Sequence, residues 1–447
     1  MKTYESMKPS TVFWLGMIPE HWKCLKIGSL FSQRKVKVSD KDYAPLSVTK
    51  MGILPQLENA AKTNDGDNRK LVCAGDFVIN SRSDRKGSCG ISELDGSVSL
   101  INLVLTPRSE WNNRYAHYLL RSQPFSEEYY RYGRGIVADL WTTRFSEMKN
   151  ILLPVPPREE QDQIVRFLDW KVSEINRLIN IKHKEIATLE ELKQSRLLAI
   201  VTRGLDENVE MVDSEIEHIG LVPKHWKVLL NHRIYRENSR PFSGDETVLS
   251  LSQKDGLLPY VDMKERSLHT SSYENWKLVF PNDLVLNRFK AHLGVFFSSN
   301  YRGIVTFHYG VYEPVMKLSS KYYELLYHTP KYKQVFAGAS NGMTVGLQNL
   351  SNTNFYKVYT VYPPYDEQCT IVKEAEKIEK EIQAIIATVS SEIERLHEFR
   401  TRLIADVVTG KIDVRGIEIP EYEYTAEEAD SDSEAEAEDL DEGGEEI

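Results

Sequence analysis

Two stretches of this chain share one plan, and that plan limits the folds open to it. The first begins Pro156-Pro157-Arg158-Glu159-Glu160-Gln161, then places apolar residues at Ile164, Leu168, Val172, Ile175, Leu178, Ile186, Leu189, Leu192 and Leu197. Spacings of three and four, with Glu, Lys and Arg between them, predict one long helix carrying an apolar seam. Proline blocks backward propagation of a helix while suiting its first turn, and Gly204 can take the left-handed conformation that closes one. The second stretch begins Pro363-Pro364-Tyr365-Asp366-Glu367-Gln368 and carries Ile371, Ala375, Ile378, Ile382, Ile385, Val389, Ile393, Leu396, Phe399 and Leu403. Its end, Arg402-Leu403-Ile404-Ala405 to Gly410, repeats Arg196-Leu197-Leu198-Ala199 to Gly204. Each seam needs an apolar partner.

The repetition extends well beyond the helices. Ile18-Pro19-Glu20-His21-Trp22 returns as Val222-Pro223-Lys224-His225-Trp226, and Gly52-Ile53-Leu54-Pro55 as Gly256-Leu257-Leu258-Pro259, both at an offset of 204. Gly75-Asp76-Phe77-Val78-Ile79-Asn80 matches Asn282-Asp283-Leu284-Val285-Leu286-Asn287 at 207, the offset that also relates the two proline pairs. A period this long is a duplicated domain and not a solenoid unit. Short β-rich runs bounded by Gly, Asp, Ser and Pro, with a helical patch near Tyr115 and again near Tyr322, give each copy an α+β texture. The expected order is a domain over 1–155, a long helix over 156–205, a linker over 206–218, a second domain over 219–362, a second long helix over 363–410 and a tail over 411–447. The two copies are alike at their edges and unlike in their middles, as one scaffold with two readouts would be.

The formal net charge of -10 conceals this division. Fifteen Asp and Glu residues, and no Lys or Arg, follow Gly416; without them the body stands at about +5. Such a segment reads as a disordered acidic extension of a mildly basic body. Cys24, Cys73, Cys89 and Cys369 form no CxxC pair, which fits a reducing compartment and gives neither a zinc site nor a disulfide framework. No long uncharged apolar run and no signal peptide stand out, so the cytoplasm is the expected location.

Signs of catalysis are weak. There is no Walker-type phosphate loop, and Gly133-Arg134-Gly135 reads as a turn. Tyr362-Pro363-Pro364-Tyr365 resembles the Pro-Pro loop of amino-methyltransferases, but Tyr362 replaces its acidic or amide residue, so a helix start accounts for it better. The histidines show no ligand spacing, and Asp76 and Asp283 read as turn-capping carboxylates. Nucleic-acid signals are softer but converge. Loops leaving equivalent strands mix amide, hydroxyl and cationic groups, the groups that bond phosphates and base edges. Candidates in the first half are Arg34, Lys35, Lys37, Ser81, Arg82, Arg85, Lys86, Arg134, Thr143 and Arg144. In the second they are Arg236, Arg240, Arg288, Lys290, His292, Asn341 and Gln348.

Duplicated domains, each opening Ile/Val-Pro-x-His-Trp and leading through Pro-Pro-x-x-Glu-Gln into a long helix, resemble the specificity subunit of type I restriction–modification enzymes. The resemblance covers roughly residues 16–414. It implies two target-recognition domains, each reading one half of a bipartite site in double-stranded DNA, with the two helices packed as an antiparallel coiled coil. It further implies docking of two methyltransferase subunits, for which Glu160, Gln161, Ile164, Leu168, Glu367, Gln368 and Ile371 are the candidate helix residues, and the joining of restriction motor subunits. S-adenosylmethionine, ATP and magnesium are then expected on those partners and no cofactor on this non-catalytic chain. A helix of about 44 residues spans roughly 66 Å at about 1.5 Å per residue, near two turns of B-DNA, so it can act as a ruler between half-sites. Two other readings of the residues stay open: a coiled-coil adaptor whose domains bind protein, and an enzyme whose site has no familiar motif.

Overall fold

The computed structural model describes residues 2–57, 66–82, 87–108, 111–135, 141–238, 240–241, 246–253, 256–263, 275–341 and 349–426. The chain divides into two compact units, Met1–Lys184 with Val389–Ile447, and Glu185–Thr388. Both long helices are shared between them. The first helix runs Arg158–Arg203 and the second Tyr365–Val408, so each unit holds the opening part of one and the closing part of the other. Acidic residues occupy both first turns, where unpaired N–H groups favour negative charge. Gly204 (φ 79°) and Gly410 (φ 78°) follow the helices in the left-handed conformation.

Within the second unit, Ile378, Ile382 and Ile386 pack against Ile186, Leu189, Leu197 and Ile200. Within the first, Arg400 donates to Asn176 at 2.7 Å and Lys182 pairs with Glu392 at 2.9 Å. Rising numbers on one helix meet falling numbers on the other, so the packing is antiparallel in each unit. The buried stripe of the second helix is Ile371, Ala375, Ile378, Ile382, Ile386, Val389, Ile393, Leu403 and Val407. Its spacing averages about 3.6, the period of a straight helix, where a supercoiled seam keeps about 3.5. Ile385 and Phe399, expected in the seam, are therefore 47% and 50% exposed, and Ile386 takes the inner position. On the first helix, Leu178 and Leu192 turn outward in the same way.

Each domain closes on itself. In the first unit Lys23–Lys26 pairs antiparallel with Leu152–Val155; in the second Lys227–Leu230 pairs with Tyr359–Tyr362. Between these paired ends lies a four-stranded sheet, in the order Cys89–Ile91, Phe77–Asn80, Asn102–Pro107, Phe31–Gln33. Its counterpart is Phe296–Ser298, Leu284–Asn287, Tyr309–Pro314, Tyr235–Glu237. Alternation along the strands sends Val78 and Val104 into one small core with Leu46, Ile53, Val72 and Val98. Val285 and Val311 do the same with Leu249, Leu251, Leu257 and Val305. The opposite faces are covered by helices Asn113–Arg121 and Gln123–Arg131, and by Ser320–Tyr327 and Pro330–Ala339.

The two sequence signatures turn out to bind each other. Glu160 accepts from Trp22 Nε1 at 3.0 Å and Tyr4 Oη at 2.6 Å, and lies 2.7 Å from His21 Nε2. Gln161 accepts from the backbone N–H of Asn112 at 3.0 Å and donates to Pro156 O at 2.9 Å. In the second unit Glu367 accepts from Trp226 Nε1 at 3.1 Å and lies 2.8 Å from His225. Gln368 accepts from the Ser319 N–H at 2.9 Å and donates to Pro363 O at 2.8 Å. The ends of the helices dock at the same place, with Tyr115 donating to Val408 O at 3.1 Å and Tyr322 to Val201 O at 2.8 Å. Glu160, Gln161, Ile164, Leu168, Gln368 and Ile371, expected to dock partners, are buried where each domain joins its helix, and Glu367 is held by the indole with a quarter of its side chain exposed.

The expected tail also starts too early. Asp413 donates its N–H to Lys2 O at 2.9 Å, and Val414 is buried. Gln163 donates to Val414 O and Ile417 O, Ser173 to Glu423 O and Asn176 to Thr425 O, so residues 414–425 lie as a strap along the first helix. These bonds engage the strap's backbone, which its acidic composition does not reveal. Residues 427–447 lie outside the described residues. Among those described, all four cysteines are free, no cluster of possible metal ligands forms, and no helix is long and apolar enough to cross a membrane.

Candidate functional site

In the first unit three segments meet beyond the end of strand Phe77–Asn80. The Asn80 side chain accepts from the Arg82 N–H at 3.0 Å and sets the turn out of the strand. Thr143 then donates its N–H to Ser81 O at 3.0 Å, and Thr142 and Arg134 exchange both backbone hydrogen bonds at 3.0 Å. Thr142 is thereby bridged antiparallel to Arg82 on one side and Arg134 on the other. Thr143, one residue on, points inward and exchanges hydrogen bonds with Tyr129. Trp141 stacks on Tyr130 at 5.8 Å and donates to Tyr130 O at 2.9 Å. A Cβ on Gly133 would lie 2.1 Å from the Trp141 ring nitrogen, so glycine is required beneath that ring.

The second unit repeats two of these backbone pairings. Asn341 and Asn349 exchange hydrogen bonds at 3.0 and 2.8 Å, and Leu350 donates its N–H to Arg288 O at 3.0 Å, as Thr143 does to Ser81. The side chains differ. Where the first unit has Arg82, Thr142 and Arg134, the second has Phe289, Asn349 and Asn341, at an offset of 207.

Several basic candidates are committed inside their domains. Arg34 grips Asp76 at 2.7 and 3.0 Å, and Arg240 holds Asp283 and Glu313 at 2.6 Å each. Asp76 also accepts from the Cys73 N–H and Asp283 from the Phe280 N–H, so both carboxylates cap turns as expected. Hydrogen bonding to Asp76 raises the Arg34 guanidinium above its ordinary value, while Arg236, with Asn238 and Arg240, draws Glu313 down to about 2. Arg288 turns inward to Glu237 and Asn352. Ser81 and Thr143 are buried, and His292 is half-buried. For the two bound arginines the partners are distant in sequence: Asp76 lies 42 residues from Arg34, and Asp283 lies 43 from Arg240. Lys35, Lys37, Arg82, Arg134, Arg144, Lys290 and Asn341 are exposed. Of these, Arg82, Arg134 and Asn341 belong to the converging loops. Arg85, Lys86 and Gln348 lie outside the described residues. Thr142, Asn349 and Phe289, not among the candidates, complete the two rows. Alternation beside the inward Thr143 and Leu350 is the signal that could have found Thr142 and Asn349.

No family model matches the chain. Over 438 residues, 90% of this chain and 96% of the relative, it is 22% identical to a putative type I restriction enzyme MjaX specificity subunit of Methanocaldococcus jannaschii. A chain from a structure of the assembly and conformational transition of the type I restriction–modification system superposes with a TM-score of 0.60 at 13% identity, covering 88% of this chain and 99% of that one. In sequence and in fold the chain is similar to type I specificity subunits. A second relative, the MjaVIII specificity subunit of the same organism, is 35% identical over 81 residues, 18% of this chain. The specificity (HsdS) subunit of Thermoanaerobacter tengcongensis shares the fold with a TM-score of 0.51 at 16% identity, over 88% of this chain and 98% of its own. Because the two units divide the chain nearly in half, fold matches of this extent include most of both. The duplicated domains and their shared helices are thus the specificity-subunit fold itself.

Proposed function

We propose that this chain is the sequence-reading subunit of a type I restriction–modification system. It binds double-stranded DNA at a bipartite site, with residues 1–155 and 219–362 as target-recognition domains. The observation that carries this reading is the loop cluster built twice on one backbone with unlike side chains. Two rigid frames presenting different polar rows suit two different half-sites, because base edges are discriminated by side-chain chemistry on a fixed support. Lys35, Lys37, Arg144 and Lys290 serve as phosphate contacts that position the domains. The long helices scaffold two methyltransferase subunits through their outward faces, and the motor subunits join that assembly in the cytoplasm. Methyl transfer from S-adenosylmethionine, and ATP- and magnesium-dependent cleavage, belong to the partners, and this chain carries no cofactor.

A map of DNA methylation in cells with and without the gene, with the partner methyltransferase present, tests the proposal. The expected result is loss of a bipartite methyladenine motif with a fixed unread spacer; an unchanged map overturns it. The helical residues between the domains set that spacer. Inserting one heptad in both helices near Ile186 and near Ile385 is expected to change the spacer and leave both half-sites intact.

A further inference from the structure

The two rows have unlike chemistry, and we propose that they read unlike bases: Arg82–Thr142–Arg134 selects guanine, and Phe289–Asn349–Asn341 selects A·T pairs. This rests on the DNA-reading function proposed above and specifies its substrate.

The geometry comes from the backbone. Residues directly opposite in antiparallel pairing present their side chains on the same face, with Cβ atoms about 5 Å apart. Thr142 faces Arg82 on one flank and Arg134 on the other, so the three form a row on one face. One hydrogen-bonded and one non-hydrogen-bonded spacing place the two arginine Cα atoms roughly 10 Å apart. That is about three base steps at roughly 3.4 Å each, so both side chains can address one half-site without backbone movement. The Arg134 side chain is 83% exposed, and its nearest carboxylate, on Glu147, stands 3.9 Å away, too far to hold the guanidinium fork by hydrogen bonding. A planar fork presented in this way matches the O6 and N7 acceptors of guanine.

The second row has no cation. Asn341 and Asn349 stand side by side as a hydrogen-bonded pair. Phe289 matches Arg82 at the offset of 207 and stands at the start of the short helix Arg288–Leu293, where Leu350 bonds Arg288 O as Thr143 bonds Ser81 O. Of the two cations flanking Phe289 in the chain, Arg288 is bound to Glu237 and Asn352, and Lys290 is exposed beside the row as a phosphate contact. An asparagine amide offers the donor and acceptor that adenine N7 and N6 require, and an exposed aromatic ring meets the thymine methyl.

The test uses the chain assembled with its methyltransferase, with methylation mapping in cells and binding to duplexes carrying single base changes. For the intact protein, guanine is expected in one half-site and A·T pairs at the corresponding positions of the other. Arg134→Gln should relax one guanine position by about ten- to a hundredfold while leaving the other half-site unchanged, and Asn341→Ala should relax one adenine in that other half only. Arg134→Lys keeps the charge but not the fork, so it too should lose the guanine preference while retaining its salt dependence. A uniform loss of affinity in Arg134→Gln, with a shallower salt slope and no relaxed position, would make Arg134 a phosphate contact and overturn the inference. So would a bipartite motif in which these changes alter neither half. No motif at all, with partners present, overturns the DNA-reading function as well. Yield and melting temperature of each assembled variant distinguish these outcomes from misfolding.

Discussion

The joint between domain and helix was built twice and has kept its plan; the row of loop residues was built twice and has not. At the joint, a tryptophan and a histidine approach a glutamate, and the next glutamine caps a helix start, in both units. The chemistry there is closed, each donor having its acceptor, and a change on one side leaves a buried polar group without a partner. The row is open, and a backbone pairing tolerates almost any side chain above it. Duplicated structure therefore diverges where the side chains have no internal obligation.

The joints are not identical, and their differences give the largest expected effects. Glu160 has a third donor, Tyr4, and is nearly buried, whereas Glu367 has two and is a quarter exposed. Glu160→Ala should cost about 4 kcal/mol and Glu367→Ala about 2 kcal/mol, measured by urea denaturation. Equal losses would remove the distinction. Next come the helix-end glycines. A Cβ on Gly410 would meet the Pro19 ring at 2.4 Å, and one on Gly204 a Glu367 side-chain oxygen at 2.9 Å. Adding the left-handed penalty, Gly410→Ala should cost about 3 kcal/mol and Gly204→Ala about 2 kcal/mol on the same measurement.

Another effect appears one pH unit at a time. His117 accepts the Ile91 N–H, and Glu324 accepts the Ser298 N–H at the equivalent place. Burial, with Arg121 and Arg114 nearby, lowers His117 from 6.5 to about 3. A depressed histidine is neutral in the fold and takes up a proton only on unfolding. Its contribution is thus complete above about 6.5 and is lost as pH falls towards 3, at about 1.4 kcal/mol per pH unit. His117→Gln should flatten that decline; an unchanged slope would show that His117 is not its source.

The smallest effect concerns the strap. Ser173 and Asn176 hold its backbone, while their equivalents on the second helix, Lys380 and Gln383, are exposed. Ser173→Ala with Asn176→Ala should raise hydrogen exchange at Thr425, whose N–H donates to Ser173 Oγ, corresponding to about 1 kcal/mol. Changing Lys380 and Gln383 to alanine should leave that exchange as it was.

Much of this fold was legible because its signals are local or periodic: the proline-led helices, their glycine ends, the strand alternation and the turn-capping Asp76 and Asp283. The duplication made each reading twice as strong. What escaped was contact between distant residues. Nothing near Arg34 in the sequence indicates Asp76 as its partner, nor does Glu160 announce Trp22. The seam was misplaced at Ile385 and Phe399 because one residue decides between a 3.5 and a 3.6 period over a long helix. The strap was missed because its bonds are to backbone atoms, which every composition supplies. In the loops, the residue types were visible, but whether Thr142 or Thr143 faces outward depends on a pairing register that only the assembled loops define.

The pairing of Lys23–Lys26 with Leu152–Val155, and of Lys227–Leu230 with Tyr359–Tyr362, has a consequence for heredity. Each domain enters and leaves its frame through two adjacent strands, so a transplanted domain must meet one geometric condition: its two ends must lie side by side. Genetic exchange that cuts at these two short segments can therefore substitute one domain for another as a cassette. The frame keeps its joints, and a lineage can exchange the loops above them without redesigning the rest of the chain.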